Sequence, residues 1–189
     1  MTRYLPILIV VAVILLTGAL PIARFRLRYG KSPVASLGRF RWVLRAFGLL
    51  LLAQAIWPRR FFGYALFRPQ PVPGLLVLAL GVAIVVRAQW EMGSSWRIGI
   101  EEGAKPGLIT AGIYRYSRNP IYLGILLEVL GVALAMPTAI SILFLVMGIF
   151  GVWRLVHREE DYLLATYGDE FAAYASRVGR FVPGLGLIR

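Results

Sequence analysis

The chain has 189 residues, of which 59% are hydrophobic and 16% charged, with a mean hydropathy of +0.72. Soluble domains carry about 25% charged residues, so this composition excludes an ordinary soluble protein and points to the membrane. Twenty-one Lys and Arg against nine Asp and Glu give a net charge of +12; the lack of cysteine excludes disulfides and thiolate chemistry, and a single histidine, His157, argues against a zinc or di-iron centre.

Five apolar segments are predicted as spans: 4–23, about 42–57, about 73–90, 121–136 and 137–153. Some are shorter than the roughly 20 residues of an ideal span, but Tyr, Trp and Arg at their ends extend them to the interface. The predicted fold is therefore an all-α integral membrane bundle of about five transmembrane helices. Residues 1–72 form N-terminal transmembrane helices, and 73–189 form a core with a C-terminal cytosolic amphipathic helix.

The basic residues flank apolar runs, which is a topology signal and not a nucleic-acid footprint. Arg24, Arg26, Arg28, Lys31, Arg39, Arg41 and Arg45 follow the first segment, and further Lys and Arg occupy 87–120 and the tail from Arg154. With five spans these stretches share one side, which the positive-inside rule makes cytoplasmic. The N-terminus is then outside and the C-terminus inside, in a bacterial-type inner or plasma membrane. Positive charge follows the first apolar run instead of preceding it, which does not fit a cleaved signal peptide. Every acid except Glu128 lies in 91–120 or the tail, so a site is expected at the cytosolic face.

The stretch "GIYRYSRNPIYLG", 112–124, puts several rings and donors at the mouth of a hydrophobic helix. Segments four and five, joined through Pro137, make a helical hairpin about 25 Å long that returns near Trp153. This places Arg118-Asn119-Pro120 beside "WRLVHREEDYLLATYG", where Glu159 and Glu160 interrupt apolar stripes at i, i+4, i+8 spacing. One reading is a juxtamembrane helix with solvated charges. The other is that the acids face inward and need cationic partners: Arg118, Arg115 or a bound cationic ligand.

Arg118-Asn119-Pro120-Ile121-Tyr122-Leu123-Gly124, then a hairpin, then Glu159-Glu160, resembles the integral membrane methyltransferases that include isoprenylcysteine carboxyl methyltransferase and phospholipid N-methyltransferases. The similarity covers about 75–183, including "GSSWRIGI", "GLITAGIYRY" and "EEDYLLATYGDEFAAYASRVGRFVP". It departs at Asn119, where many members carry His. Asn hydrogen-bonds but does not titrate, so it reads as a positioning residue. The resemblance implies S-adenosylmethionine as methyl donor and a lipophilic or amphipathic acceptor entering from the membrane lipid. No glycine-rich dinucleotide-binding fingerprint follows a strand pattern, in keeping with binding outside a Rossmann fold.

On that resemblance the cofactor-binding candidates are Tyr114, Tyr116, Arg118, Asn119, Pro120, Tyr122, Gly124, Glu159 and Glu160. Arg118 is a candidate for the donor's carboxylate through its fork, the Glu pair for its ammonium or ribose, and the tyrosines for adenine or sulfonium. Gly124 suits close approach of a helix or ligand. The catalytic candidates are Arg154, to grip an anionic acceptor, Glu159, and Glu128, an acid inside a span. His157 is a further candidate base, and no metal is expected. In-line attack on the sulfonium methyl needs no base when the acceptor is a carboxylate, so a carboxylate or other oxygen nucleophile is favoured. Two rival readings are an NADPH-dependent reductase of the sterol-reductase type, whose Gly-Glu spacing fits Gly124 and Glu128 poorly, and a non-enzymatic membrane scaffold.

Overall fold

The computed structural model describes residues 5–34, 65–96 and 107–188, with Leu49, Ala53 and Ile56. Within these residues the protein is a helical membrane bundle. Three helical stretches are long and apolar enough to cross a bilayer: Ile9–Tyr29, Pro71–Ser95 and Ala139–Tyr167. Pro120–Ala135 is a shorter apolar helix. The segment expected over 42–57 lies, apart from those three residues, outside the described part.

The first span continues beyond its expected end at residue 23. Helix α1 (Leu5–Ile14) passes through a π turn (Leu15–Ala19) into α2 (Leu20–Tyr29). Pro21 explains the irregularity, because proline offers no N–H to the carbonyl four residues back and its ring crowds that carbonyl. Gly30 ends α2 in the left-handed region, φ 68°, donating its N–H to the Arg26 carbonyl at 2.9 Å. Phe25, buried on α2, meets the Trp96 ring with centroids 5.9 Å apart, which docks the rod on the next span.

Helix α3 (Pro71–Met92) and helix α4 (Pro120–Ala135) both start on proline, which is pre-set for the first helical turn. They run antiparallel: Gln70, just before α3, donates its N–H to the Leu134 carbonyl near the far end of α4 at 2.8 Å. Glycines seven residues apart on each helix make the contact. Gly74 faces Gly131 and Ala135, and Gly81 faces Gly124 and Glu128. Without side chains there, the two backbones approach directly, as small residues allow between membrane helices.

Thr138 opens helix α5 (Ala139–Tyr167) with a capping box in which its hydroxyl accepts from the Ser141 N–H at 3.3 Å, and its own N–H donates to Ser141 Oγ at 3.2 Å. The helix runs past the boundary expected at residue 153. No Gly or Pro occurs between Gly151 and Gly168, so one helix of 29 residues carries the span on into the Glu pair. Only helix α6 (Asp169–Ala175) follows; Phe171, Tyr174 and Ala175 form a small buried cluster with Leu163, Val178 and Ile188. The C-terminal strap, 176–188, then folds back over the start of α4.

Candidate functional site

The ends of α3, α4 and α5 that carry polar chemistry converge. Arg118 Nε donates to Glu160 Oε1 at 3.0 Å, across 42 residues of sequence. Its Nη2 also reaches Glu160 Oε1, at 3.0 Å, and donates to the Gly186 carbonyl at 2.8 Å. Its Nη1 donates to the carbonyls of Ala175, at 2.9 Å, and Val178. Four N–H groups of the guanidinium thus donate to protein oxygens, Nη2 makes a further ion-pair contact with Glu160, and the side chain is 1% exposed. Arg118 clamps the strap to the Glu pair. The fork expected to grip a cofactor carboxylate is instead engaged by Glu160 and three backbone carbonyls of the chain itself.

Glu160 is held from its other side by Arg180, whose Nε donates to Oε2 at 3.0 Å while Nη2 forms an ion pair with the same oxygen at 2.9 Å. Asn119 completes the knot: Nδ2 donates to Glu160 Oε1 at 3.0 Å and to the Arg180 carbonyl at 3.2 Å, and its backbone N–H donates to the same carbonyl at 3.1 Å. An amide here binds a carboxylate and a carbonyl together with no proton to lose. His157 joins as a structural residue. Its Nε2 accepts from Arg180 Nη1 at 3.0 Å, so its Nδ1 carries the proton donated to the Trp153 carbonyl at 2.7 Å.

Glu159 differs sharply from its neighbour. Its Oε2 accepts from the Tyr122 hydroxyl at 2.8 Å, and among the described residues no cation lies within ion-pair distance of it. Tyr114 lies close by. Burial, then the charge of Glu159, pushes its hydroxyl well above the usual range, and it donates to the Ala88 carbonyl at 3.4 Å. Tyr174 backs it, donating to the Tyr114 carbonyl at 2.6 Å; burial lifts the Tyr174 hydroxyl to about 12, with Arg118 opposing and Glu160 adding to the shift.

The turn that presents Tyr114, Gly112–Arg115, is latched to α3 by Glu91. Glu91 Oε2 accepts from the Ile113 N–H at 2.5 Å, while Oε1 pairs with Arg87 at 2.6 Å. Gly112 is needed there twice: its φ is +62°, and a Cβ would strike the Glu91 carboxylate.

Of the sequence candidates, Tyr114, Arg118, Asn119, Pro120, Tyr122, Glu159 and Glu160 come together. Gly124 serves helix packing against Val85 and Gly81. Tyr116 is 58% exposed, beside Arg115, and stands apart. Arg154 is also exposed: it sits two residues before Val156, about 200° around α5 from the buried Val152, Val156 and Glu160 line. Glu128 is buried against Gly81, roughly 9 Å along α4 from Tyr122. Neither enters the cluster. Sequence reasoning missed Arg180 and Glu91; the signal for Arg180 was a lone cation among the apolar Val178, Phe181 and Val182.

Residues 69–170 match the family model described as phospholipid methyltransferase. The cobalt-zinc-cadmium resistance protein CzcN of Cupriavidus metallidurans is 35% identical over 120 residues, 60% of this chain and 52% of that protein. Protein-S-isoprenylcysteine O-methyltransferase of Saccharomyces cerevisiae is 28% identical over 169 residues, 84% of this chain and 66% of that protein. Protein-S-isoprenylcysteine O-methyltransferase B of Arabidopsis thaliana is 34% identical over 119 residues, 58% and 57% of the two chains. The chain thus spans about half to two thirds of the length of these relatives.

Proposed function

We propose that this chain, which belongs to the phospholipid methyltransferase family, transfers a methyl group from S-adenosylmethionine to a lipophilic acceptor at the cytosolic face of the membrane. The observation that carries the reading is the asymmetry of the Glu pair. Glu160 is neutralised by two arginines, whereas Glu159 is fixed by one hydroxyl and lacks a cation among the described residues. A desolvated carboxylate of that kind calls for a positive ligand. S-adenosylmethionine has an ammonium and a sulfonium, and when bound it supplies an electrophilic methyl.

Glu159 therefore holds the positive end of the donor, and Tyr122 fixes the carboxylate's orientation. Tyr114 offers a ring face to the same cation. Arg118, Asn119, Arg180 and Glu160 are positioning residues that lock the strap and the start of α4 around it. With the donor bound, the acceptor's oxygen would take its methyl, and the chain's own residues would contribute alignment and exclusion of water. A carboxylate acceptor arrives already ionised and requires no base, in keeping with His157 being tied up in structure. Relatives named for isoprenylcysteine O-methylation make a prenylated carboxylate the first acceptor to try.

Calorimetry on the detergent-purified protein tests this. S-adenosylmethionine is expected to bind and NADPH is not. Glu159→Gln, which keeps the shape and removes the charge, should weaken S-adenosylmethionine binding at least about tenfold while leaving thermal unfolding within about 2 °C, since the amide oxygen still accepts from the Tyr122 hydroxyl and no ion pair is lost. NADPH binding alone, or an undiminished affinity in Glu159→Gln, overturns the reading.

A further inference from the structure

Arg24, Arg26 and Arg28 crowd the last two turns of α2, and all three are exposed. Among the described residues no carboxylate lies within ion-pair distance of any of them. Arg26 turns to the Ser32 hydroxyl at 3.4 Å. Arg24 and Arg28, four residues apart, share a face of the helix. The Arg24 guanidinium lies over the Trp90 ring of α3, 4.7 Å from its centroid, and the Arg28 guanidinium lies 5.6 Å from the Tyr29 ring. A ring contact uses no N–H, so both forks keep their donors. Trp90 itself is 61% exposed.

The two helices are fixed to each other at this end. Gln89 Nε2 donates to the Thr17 carbonyl at 2.9 Å, a carbonyl that Pro21 leaves without its usual helical N–H, and Phe25 meets Trp96. The depth of the patch follows from helix length. Arg24 is 19 residues from the start of α1 at Leu5, and Trp90 is 19 residues from the start of α3 at Pro71. Each distance is roughly 29 Å of helix, about the thickness of the hydrocarbon core. Arginine and ring therefore meet at the layer of lipid headgroups. Leu27, exposed beside the two arginines, continues the apolar surface of the span. Arg87, one turn before Trp90, is balanced by Glu91; Arg24 and Arg28 are not balanced by any acid among the described residues.

We infer that Arg24, Arg28 and Trp90 form a binding site for the headgroup of an anionic phospholipid. The guanidinium forks suit the phosphate oxygens, the indole suits the glycerol region, and Leu27 suits the start of an acyl chain. Charge bias alone explains arginines at the end of a span. It does not explain one laid on an exposed ring at the same depth, with its donors directed to no protein acceptor among the described residues. The ligand is a resident lipid of the leaflet and not the methyl acceptor: Trp90 points about 100° around α3 from Glu91, the residue that latches the turn carrying Tyr114. The inference stands whether or not the chain transfers methyl groups.

The test uses the full chain in a neutral detergent, with lipid occupancy read by native mass spectrometry. The probes are phosphatidylglycerol and phosphatidylcholine with the same acyl chains, which share the phosphate and differ in net charge. Phosphatidylglycerol is expected to bind about tenfold more tightly, in keeping with two arginines at an anionic surface. Arg24→Gln with Arg28→Gln should reduce that preference to about twofold or less, and Trp90→Leu should reduce it about threefold. All three side chains are exposed, so the variants should fold as the unmodified protein does. Arg154→Gln with Arg158→Gln is the control: these arginines are exposed and also four residues apart on a helix, and no ring lies under either among the described residues. It should keep the preference.

Equal binding of the two lipids by the unmodified protein overturns the inference, as does an undiminished preference in the Arg24/Arg28 variant or in Trp90→Leu. An equal loss in the Arg154/Arg158 control overturns it too, since attraction to positive charge in general would then suffice. Inorganic phosphate that displaces phosphatidylglycerol at equal concentration would show an anion site with no call for a lipid, and overturns it as well.

Discussion

Glu160→Ala is expected to unfold far more easily than the unmodified protein, by about 3–5 kcal/mol, while Glu159→Gln unfolds normally. The two acids are adjacent, yet their surroundings are opposite. Removing Glu160 leaves the Arg118 guanidinium, 1% exposed, with carbonyl partners alone and no counter-charge, and frees Arg180 as well. Asn119 Nδ2 loses its carboxylate in the same step. Glu160→Gln should fall nearly as far, because its NH₂ group would present hydrogens where two arginines already present theirs. The strap should come away from the start of α4, since Arg118 holds it through the Ala175, Val178 and Gly186 carbonyls. Trypsin then gains access to Arg177 and Arg180. Thermal unfolding in detergent and limited proteolysis read the two effects separately. A Glu160→Ala protein with unchanged unfolding and an uncut strap would show that the clamp does not hold the site together.

The meeting of Arg118 with the Glu pair was readable from the sequence, because two apolar segments joined at Pro137 return the chain to its starting face whatever their detailed packing. Which acid was neutralised was not readable. Glu159 and Glu160 are only about 100° apart on a helix, and each continues its own apolar stripe, 155/159/163 or 156/160/164. The burial of Val152, Val156 and Glu160 decides it, and that depends on how α5 is rotated against its neighbours. The role of Arg118 was hidden for a different reason: three of its partners are backbone carbonyls, which no side-chain pattern announces. The same holds for the Gln89–Thr17 bond. Pro21 is plain in the sequence, but the side chain that uses the carbonyl it frees is 72 residues away. The end of the last span was misplaced because a change from apolar to charged composition does not break a helix; only Gly168, at φ +49°, does so.

Gly81→Leu and Gly131→Leu should each cost about 3 kcal/mol or more, with a loss of the S-adenosylmethionine binding proposed above, though neither residue belongs to the cluster around Glu159 and Glu160. A Cβ on Gly81 would lie 2.6 Å from the Gly124 carbonyl oxygen and 2.8 Å from the Glu128 nitrogen; one on Gly131 would lie 2.6 Å from both the Gly74 oxygen and the Leu78 nitrogen. These are backbone atoms, so no rotamer change gives relief, and overpacking exceeds its usual cost of roughly 1–3 kcal/mol. The helices must part. Parting them moves α3 relative to α4, and α3 carries the Ala88 carbonyl under Tyr114 and the Glu91 latch on Ile113, while α4 carries Tyr122. Binding is therefore lost through geometry. Gly148→Leu and Gly151→Leu are the controls, since a Cβ at either meets nothing within 4 Å, and both should leave unfolding and binding as they were. Thermal unfolding and calorimetry on the four variants separate a glycine required by contact from one that merely occupies a membrane helix. If Gly81→Leu were as stable as Gly148→Leu, α3 and α4 would not be packed backbone to backbone, and the distances that bring Tyr114 to Glu159 would need another source.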